Sequence, residues 1–115
     1  MRKQMIENAA YEVATQVRAV ENSIDGTLAD MAELQSRMMR ASSVAHAGYG
    51  TIHPALEQLS AAVAGLVGSR GAVVACHAAL AQAKTKVPGL REVAWGDGDE
   101  CPPAPTGTVD LRIVA

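Results

Sequence analysis

Residues 6–41 read IENAAYEVATQVRAVENSIDGTLADMAELQSRMMRA. Within this stretch Ile6, Ala10, Val13, Val17, Val20, Ile24, Met31, Leu34, Met38 and Ala41 recur at alternating spacings of four and three, interrupted only by Thr27. That spacing is a coiled-coil seam, because steps of four and three keep side chains on one line of a helix. A narrow stripe held in phase for so long is buried only against another helix, so the chain first declares a need for a helical partner. Strong helix formers fill the segment, which predicts a helix over about 4–44. Its one interior weakness, Gly26, costs roughly 1 kcal/mol relative to Ala.

The next segment, Ala47-Gly48-Tyr49-Gly50-Thr51, holds two glycines close together. Glycine reaches positive φ without steric cost, so a turn is predicted over 46–52. Pro54 suits the first turn of a following helix, where its missing amide donor costs nothing, with Thr51 or His53 as the cap. A second helix is expected over 53–87. Ile52, Leu56, Leu59, Val63 and Leu66 continue the four-three spacing. Val73, Leu80 and Val87 then keep every other position, while Arg70, His77 and Lys84 take the alternates. The apolar face is therefore expected to shift toward Val67 and Val74, leaving the second half of this seam part-polar. On that reading the first helix is best matched near the turn, and Ile6, Val13, Val17 and Val20 are left to bind another subunit or partner. Lys84 and Lys86 place positive charge where the helix dipole favours it, and Val87-Pro88-Gly89 ends the helix.

The fold class is accordingly mainly α: a long antiparallel helical hairpin over residues 1–88, coiled-coil-like and completed by oligomerisation. Residues 89–115 differ in composition. Leu90, Val93 and Trp95 form a short apolar patch, after which Gly96-Asp97-Gly98-Asp99-Glu100 and Cys101-Pro102-Pro103-Ala104-Pro105 suit neither helix nor interior strand. At the end, residues 108–114 alternate, with Val109, Leu111 and Ile113 on one face and Asp110 and Arg112 on the other. A lone strand has to pair with a neighbouring subunit, with a partner's sheet edge or with nothing, so this tail is a candidate docking element, and Trp95 is expected either to cover the end of the hairpin or to anchor a partner.

Composition narrows the function classes. The apolar share is 49%, supplied mostly by small aliphatic residues, with no Phe, one Trp and two Tyr. Small side chains favour close helix packing over a thick aromatic core. Net charge is -2 with both signs scattered, which lacks the basic footprint of a nucleic-acid binder. Gly68-Ser69-Arg70 interrupts the most apolar run, Ala61 to Val67, so no membrane partner is expected, and the amphipathic amino terminus does not read as a signal peptide. A cytoplasmic location, or assembly in a virion, follows as the expectation, and Cys76 and Cys101 are then expected to be reduced thiols.

The residues that could carry chemistry support no active site. His46, His53 and His77 match no zinc spacing. Cys76 and His77 are adjacent on a helix and point about 100° apart, so the thiol lacks an aligned base and reads as a small buried hydrophobe. Asp97, Asp99 and Glu100 resemble the start of a calcium loop whose later ligands are replaced by prolines. No cofactor, metal or small-molecule substrate is expected, and the protein is expected not to be an enzyme. Met31 and Met38 fall on the seam, and they with Met39 read as core filling near the turn.

A hairpin of this length with glycines and an aromatic at its turn resembles the WXG100 secretion substrates in outline. Their turn carries Trp-x-Gly, whereas this chain reads Gly48-Tyr49-Gly50-Thr51, with Trp95-Gly96 outside the hairpin. No functional residue carries over and no family is assigned. The leading expectation is a non-catalytic assembly protein that pairs with itself or a neighbouring protein, most specifically a small structural component of a phage or prophage particle. The alternatives are a cytosolic adaptor or regulatory protein that binds one partner through a helix bundle, and a small metal-binding or thiol protein.

Overall fold

The computed structural model describes residues 2–90 and shows two long helices, α1 (Arg2–Val44) and α2 (Tyr49–Lys84). They pack against each other as an antiparallel hairpin 66 Å long, about the length of a 43-residue helix at 1.5 Å per residue. Among the described residues there is no strand. The linker after Leu90 and the predicted strand 108–114 lie outside them.

The turn is shorter than the glycines suggest, and neither glycine makes it. Three backbone bonds close α1: Ala45 N–H to Ala41 O at 2.9 Å, His46 N–H to Ser43 O at 3.2 Å, and Ala47 N–H to Ser42 O at 3.1 Å. The last two are the paired bonds of a Schellman motif, which needs a left-handed residue at its centre. That residue is His46, with φ +53. Gly48 is extended, with φ -68 and ψ 157, and serves as the N-cap of α2 without a side-chain cap. Thr51 N–H bonds Gly48 O at 3.0 Å, so α2 is already wound at Tyr49, four residues before its predicted start. Pro54 consequently sits in the second turn, where it leaves the carbonyl of Gly50 without its helical donor.

The far end closes in a defined way. After Lys84 the chain tightens through Lys86 N–H to Ala83 O (3.0 Å) and Val87 N–H to Lys84 O (3.2 Å). Val87-Pro88-Gly89-Leu90 then forms a type II turn: proline is second, Gly89 has φ +92, and Leu90 N–H reaches Val87 O at 3.1 Å. The turn folds Leu90 back so that it is buried.

The seam of α2 does not shift. Its less exposed positions are Ile52, Leu56, Leu59, Val63, Leu66, Val73, His77, Ala81, Lys84 and Val87, whereas Val67 and Val74 are 54% and 55% exposed. The four-three register continues through His77 and Lys84, while Arg70 is half-exposed at its position and Ala81 lies inward in place of the expected Leu80. On α1 the inward line is Ala10, Val17, Ile24, Met31 and Met38, flanked by Ala14, Glu21, Leu28 and Ser42. The other half of the sequence stripe, Val13, Val20, Thr27, Leu34 and Ala41, is exposed. The hairpin thus covers one flank of the α1 stripe along its whole length and leaves the other flank open.

Candidate functional site

The register is held by polar residues of α2 facing carboxylates of α1. Arg70 Nε donates to Asp25 Oδ1 at 2.8 Å between half-exposed side chains. The hydrogen bond and then the charge of Asp25 raise the guanidinium's pKa. One seam step further, His77 is buried with Nδ1 3.4 Å from Glu21 Oε2. Lys84 is also buried. A polar group on a seam is tolerated when a partner satisfies it, and Glu21 and Asp25, spaced i and i+4, lie where the antiparallel helix presents Arg70 and His77. That i, i+4 pair of acids against an i, i+7 pair of bases was the sequence signal for the register.

The side of the hairpin formed by Arg18, Asn22 and Asp25 with Arg70 is polar. The opposite side is apolar. There Val13 and Val17 face Leu80, Ala83 and Val87 across a mainly apolar groove of about 200 Å³, with Leu90, His77 and Lys84 also in its lining. Further along, a second groove sets Val20, Ile24 and Thr27 beside Leu66. Both grooves are walled by the exposed row of α1, in which Val13 and Leu34 are 48% and 49% exposed. Thr27, the one polar member, satisfies its hydroxyl by donating to Ser23 O at 2.8 Å, so it presents its methyl without a hydrogen-bond demand.

Of the predicted interaction residues, Ile6 and Val17 are half-buried in the hairpin, and Val13 and Val20 belong to the exposed row. Trp95, Val109, Leu111 and Ile113 lie outside the described residues. Leu34 joins the row at the end nearest the turn. The surface therefore runs along the helix instead of stopping at Val20, because α2 covers the stripe from the side and not from one end.

Two small readings change. Cys76 is exposed, not buried, because the seam passes through His77 and its neighbour is turned about 100° away. His46 and His53 line one depression at the turn with Met39, Tyr49 and Ile52, and His53 Nε2 lies 3.6 Å from Glu57 Oε1 on its own helix. Among the described residues no three of His, Cys, Asp and Glu gather in a metal-binding arrangement.

The outer surface of α2 is unusually apolar. Between Glu57 and Lys84 its one formal charge is Arg70, which is turned to Asp25, and the rest of that stretch is mostly Ala, Gly and Val. Contrary to the sequence expectation, this helix is long and apolar enough to cross a membrane by length and composition. A single arginine does not offset so many Ala, Val and Leu residues. No family model, curated protein or solved structure matches this chain.

Proposed function

We propose that the protein is a non-catalytic helical assembly module that self-associates through the exposed row Val13, Val20 and Leu34 of α1. The observation that carries this is the state of its core. Among the described residues Leu59 and Leu90 are the only buried hydrophobic side chains, while a heptad-spaced apolar row lies open beside them. Burial of an aliphatic side chain contributes about 1.5–3 kcal/mol, and a half-exposed one realises only part of that. A second hairpin laid on the same side would turn two half-buried seams into one four-helix core. The most specific form of the proposal is a structural component of a phage or prophage particle, supported by architecture: a small hairpin bearing a self-complementary side and an appended tail suits repeated assembly.

Static light scattering on the purified chain and on a Val20→Asp, Leu34→Asp variant tests it. The wild type should run as a defined multiple of the chain mass, and the variant as a monomer with unchanged helicity. A wild-type monomer would overturn the reading. The apolarity of α2 favours one competing reading, insertion into a bilayer, and co-flotation of the wild type with neutral lipid vesicles would support that instead.

A further inference from the structure

We infer that the second copy lays its α2, and not its α1, on the exposed row of α1, so that two hairpins stack side on side with both turns at the same end. This packing rests on the self-association proposed above and adds which surface of the other chain completes it. Height along the hairpin is the first reason. Asp25 meets Arg70 and Glu21 meets His77, so these pairs mark equal heights on the two antiparallel helices. Steps of seven in opposite directions then set Val13, Val20 and Leu34 level with Ala83, Cys76 and Ala62, and Thr27 level with Ser69. A seven-residue step returns to within about 20° of the same side of a helix. Val13 and Ala83 border the same groove, so both rows lie on the apolar side of the hairpin, and every residue in them is exposed.

Size is the second reason. The α1 row is bulky at Val13, Val20 and Leu34, and the α2 row is small at each matching height. A two-fold axis along the hairpin preserves height and brings the α2 row of the second copy under the α1 row. Val20 then packs on Cys76 of the second copy, Leu34 on its Ala62, and the Thr27 methyl on its Ser69. The same contact forms twice. Stacking α1 on α1 and α2 on α2 instead sets bulky on bulky along one side and small on small along the other. Interaxial distance follows side-chain size over about 8–10 Å, so that stack would close along α2 and gape along α1. Bulky on small gives one spacing at both contacts, as a two-fold interface between identical chains allows. Charge and area agree. Between Glu57 and Lys84 the one charge on α2 is Arg70, which is turned to Asp25, so covering the small row desolvates no unpaired ion. Residues 13–41 span about 42 Å of helix at about 1.5 Å per residue. Two contacts of that length, each about 10 Å wide, cover on the order of 800 Å² per subunit, the size of a stable interface.

Disulfide trapping between two different chains reads the packing directly. A tagged full-length chain carrying Val20→Cys, Cys76→Ala and Cys101→Ser is refolded from urea together with an untagged Cys101→Ser chain, in which Cys76 is the one thiol. A mild oxidant should yield a covalent heterodimer that reductant releases. Val67→Cys in place of Val20→Cys, on the other side of α2, should yield none. If the Val20→Cys chain fails to assemble by light scattering, Leu34→Cys on one chain and Ala62→Cys on the other, both without native thiols, form the second pair. Thr27→Cys in a chain without other thiols tests the α1-on-α1 stack, where that residue would lie on the symmetry axis. Self-linking there, with no product at the two predicted pairs, overturns the proposal. A dimer by light scattering that gives no covalent product at either predicted pair also overturns it and leaves self-association intact, whereas a monomer removes both.

Discussion

His46 holds the left-handed position that ends α1, a conformation costing a non-glycine residue on the order of 1–2 kcal/mol, although histidine tolerates it better than most. His46→Gly should remove that strain and raise stability by about 1 kcal/mol, read as a higher urea midpoint with an unchanged slope. Gly26 is the opposite case. It sits mid-helix with nothing within 4 Å of where an alanine methyl would be, so Gly26→Ala should also stabilise by roughly 1 kcal/mol, seen as a rise in thermal midpoint. The pair Cys76 and His77 shows how one residue of phase decides environment: the imidazole is 9% exposed and meets Glu21, and the thiol beside it faces solvent.

At the scale of the elements, the two helices differ in how much of their apolar surface goes into the shared interface. α2 uses one seam in a constant register, opened only at the half-exposed Arg70, and Leu59, 8% exposed, is its best-packed apolar member within the helix. Leu59→Ala should destabilise by about 2–4 kcal/mol, whereas Val67→Ala and Val74→Ala should stay within about 0.5 kcal/mol in chemical denaturation. Equal losses at all three would mean that the face had shifted after all. The polar members of the seam set register more than they add stability. His77→Leu alone leaves the Glu21 carboxylate facing an apolar side chain and should lower the thermal midpoint; adding Glu21→Leu should recover most of that loss. A double variant no better than the single one would show that the pair is not coupled.

For the whole molecule, the deciding fact is that a two-helix layout has no third surface to finish its core. α1 carries an apolar stripe wide enough for two neighbours, and α2 occupies only one side of it. The thermal midpoint of the wild type should therefore rise with protein concentration, as linkage to assembly requires, and that dependence should vanish in the Val20→Asp, Leu34→Asp variant. A midpoint independent of concentration in the wild type would indicate a hairpin that is complete as a monomer.

The amino-acid pattern by itself determined that this chain makes two long helices joined near residue 46, because heptad spacing, helix-forming residues and the Pro-Gly stop after Val87 are local properties of the chain. It also placed the shared line Ala10, Val17, Ile24, Met31 and Met38 on the inward side of α1. Only the tertiary structure decided which flank of that line α2 covers. Rows at 13, 20 and 34 and at 14, 21 and 28 are equally close to the shared line, and the outcome rests on Glu21 and Asp25 meeting His77 and Arg70 across the interface. The turn was decided in the same way: two glycines offered positive φ, but the paired bonds from His46 and Ala47 back to Ser43 and Ser42 put the left-handed residue at His46. Periodicity states that a face is apolar; which neighbour buries it is a property of pairing between elements distant in the chain.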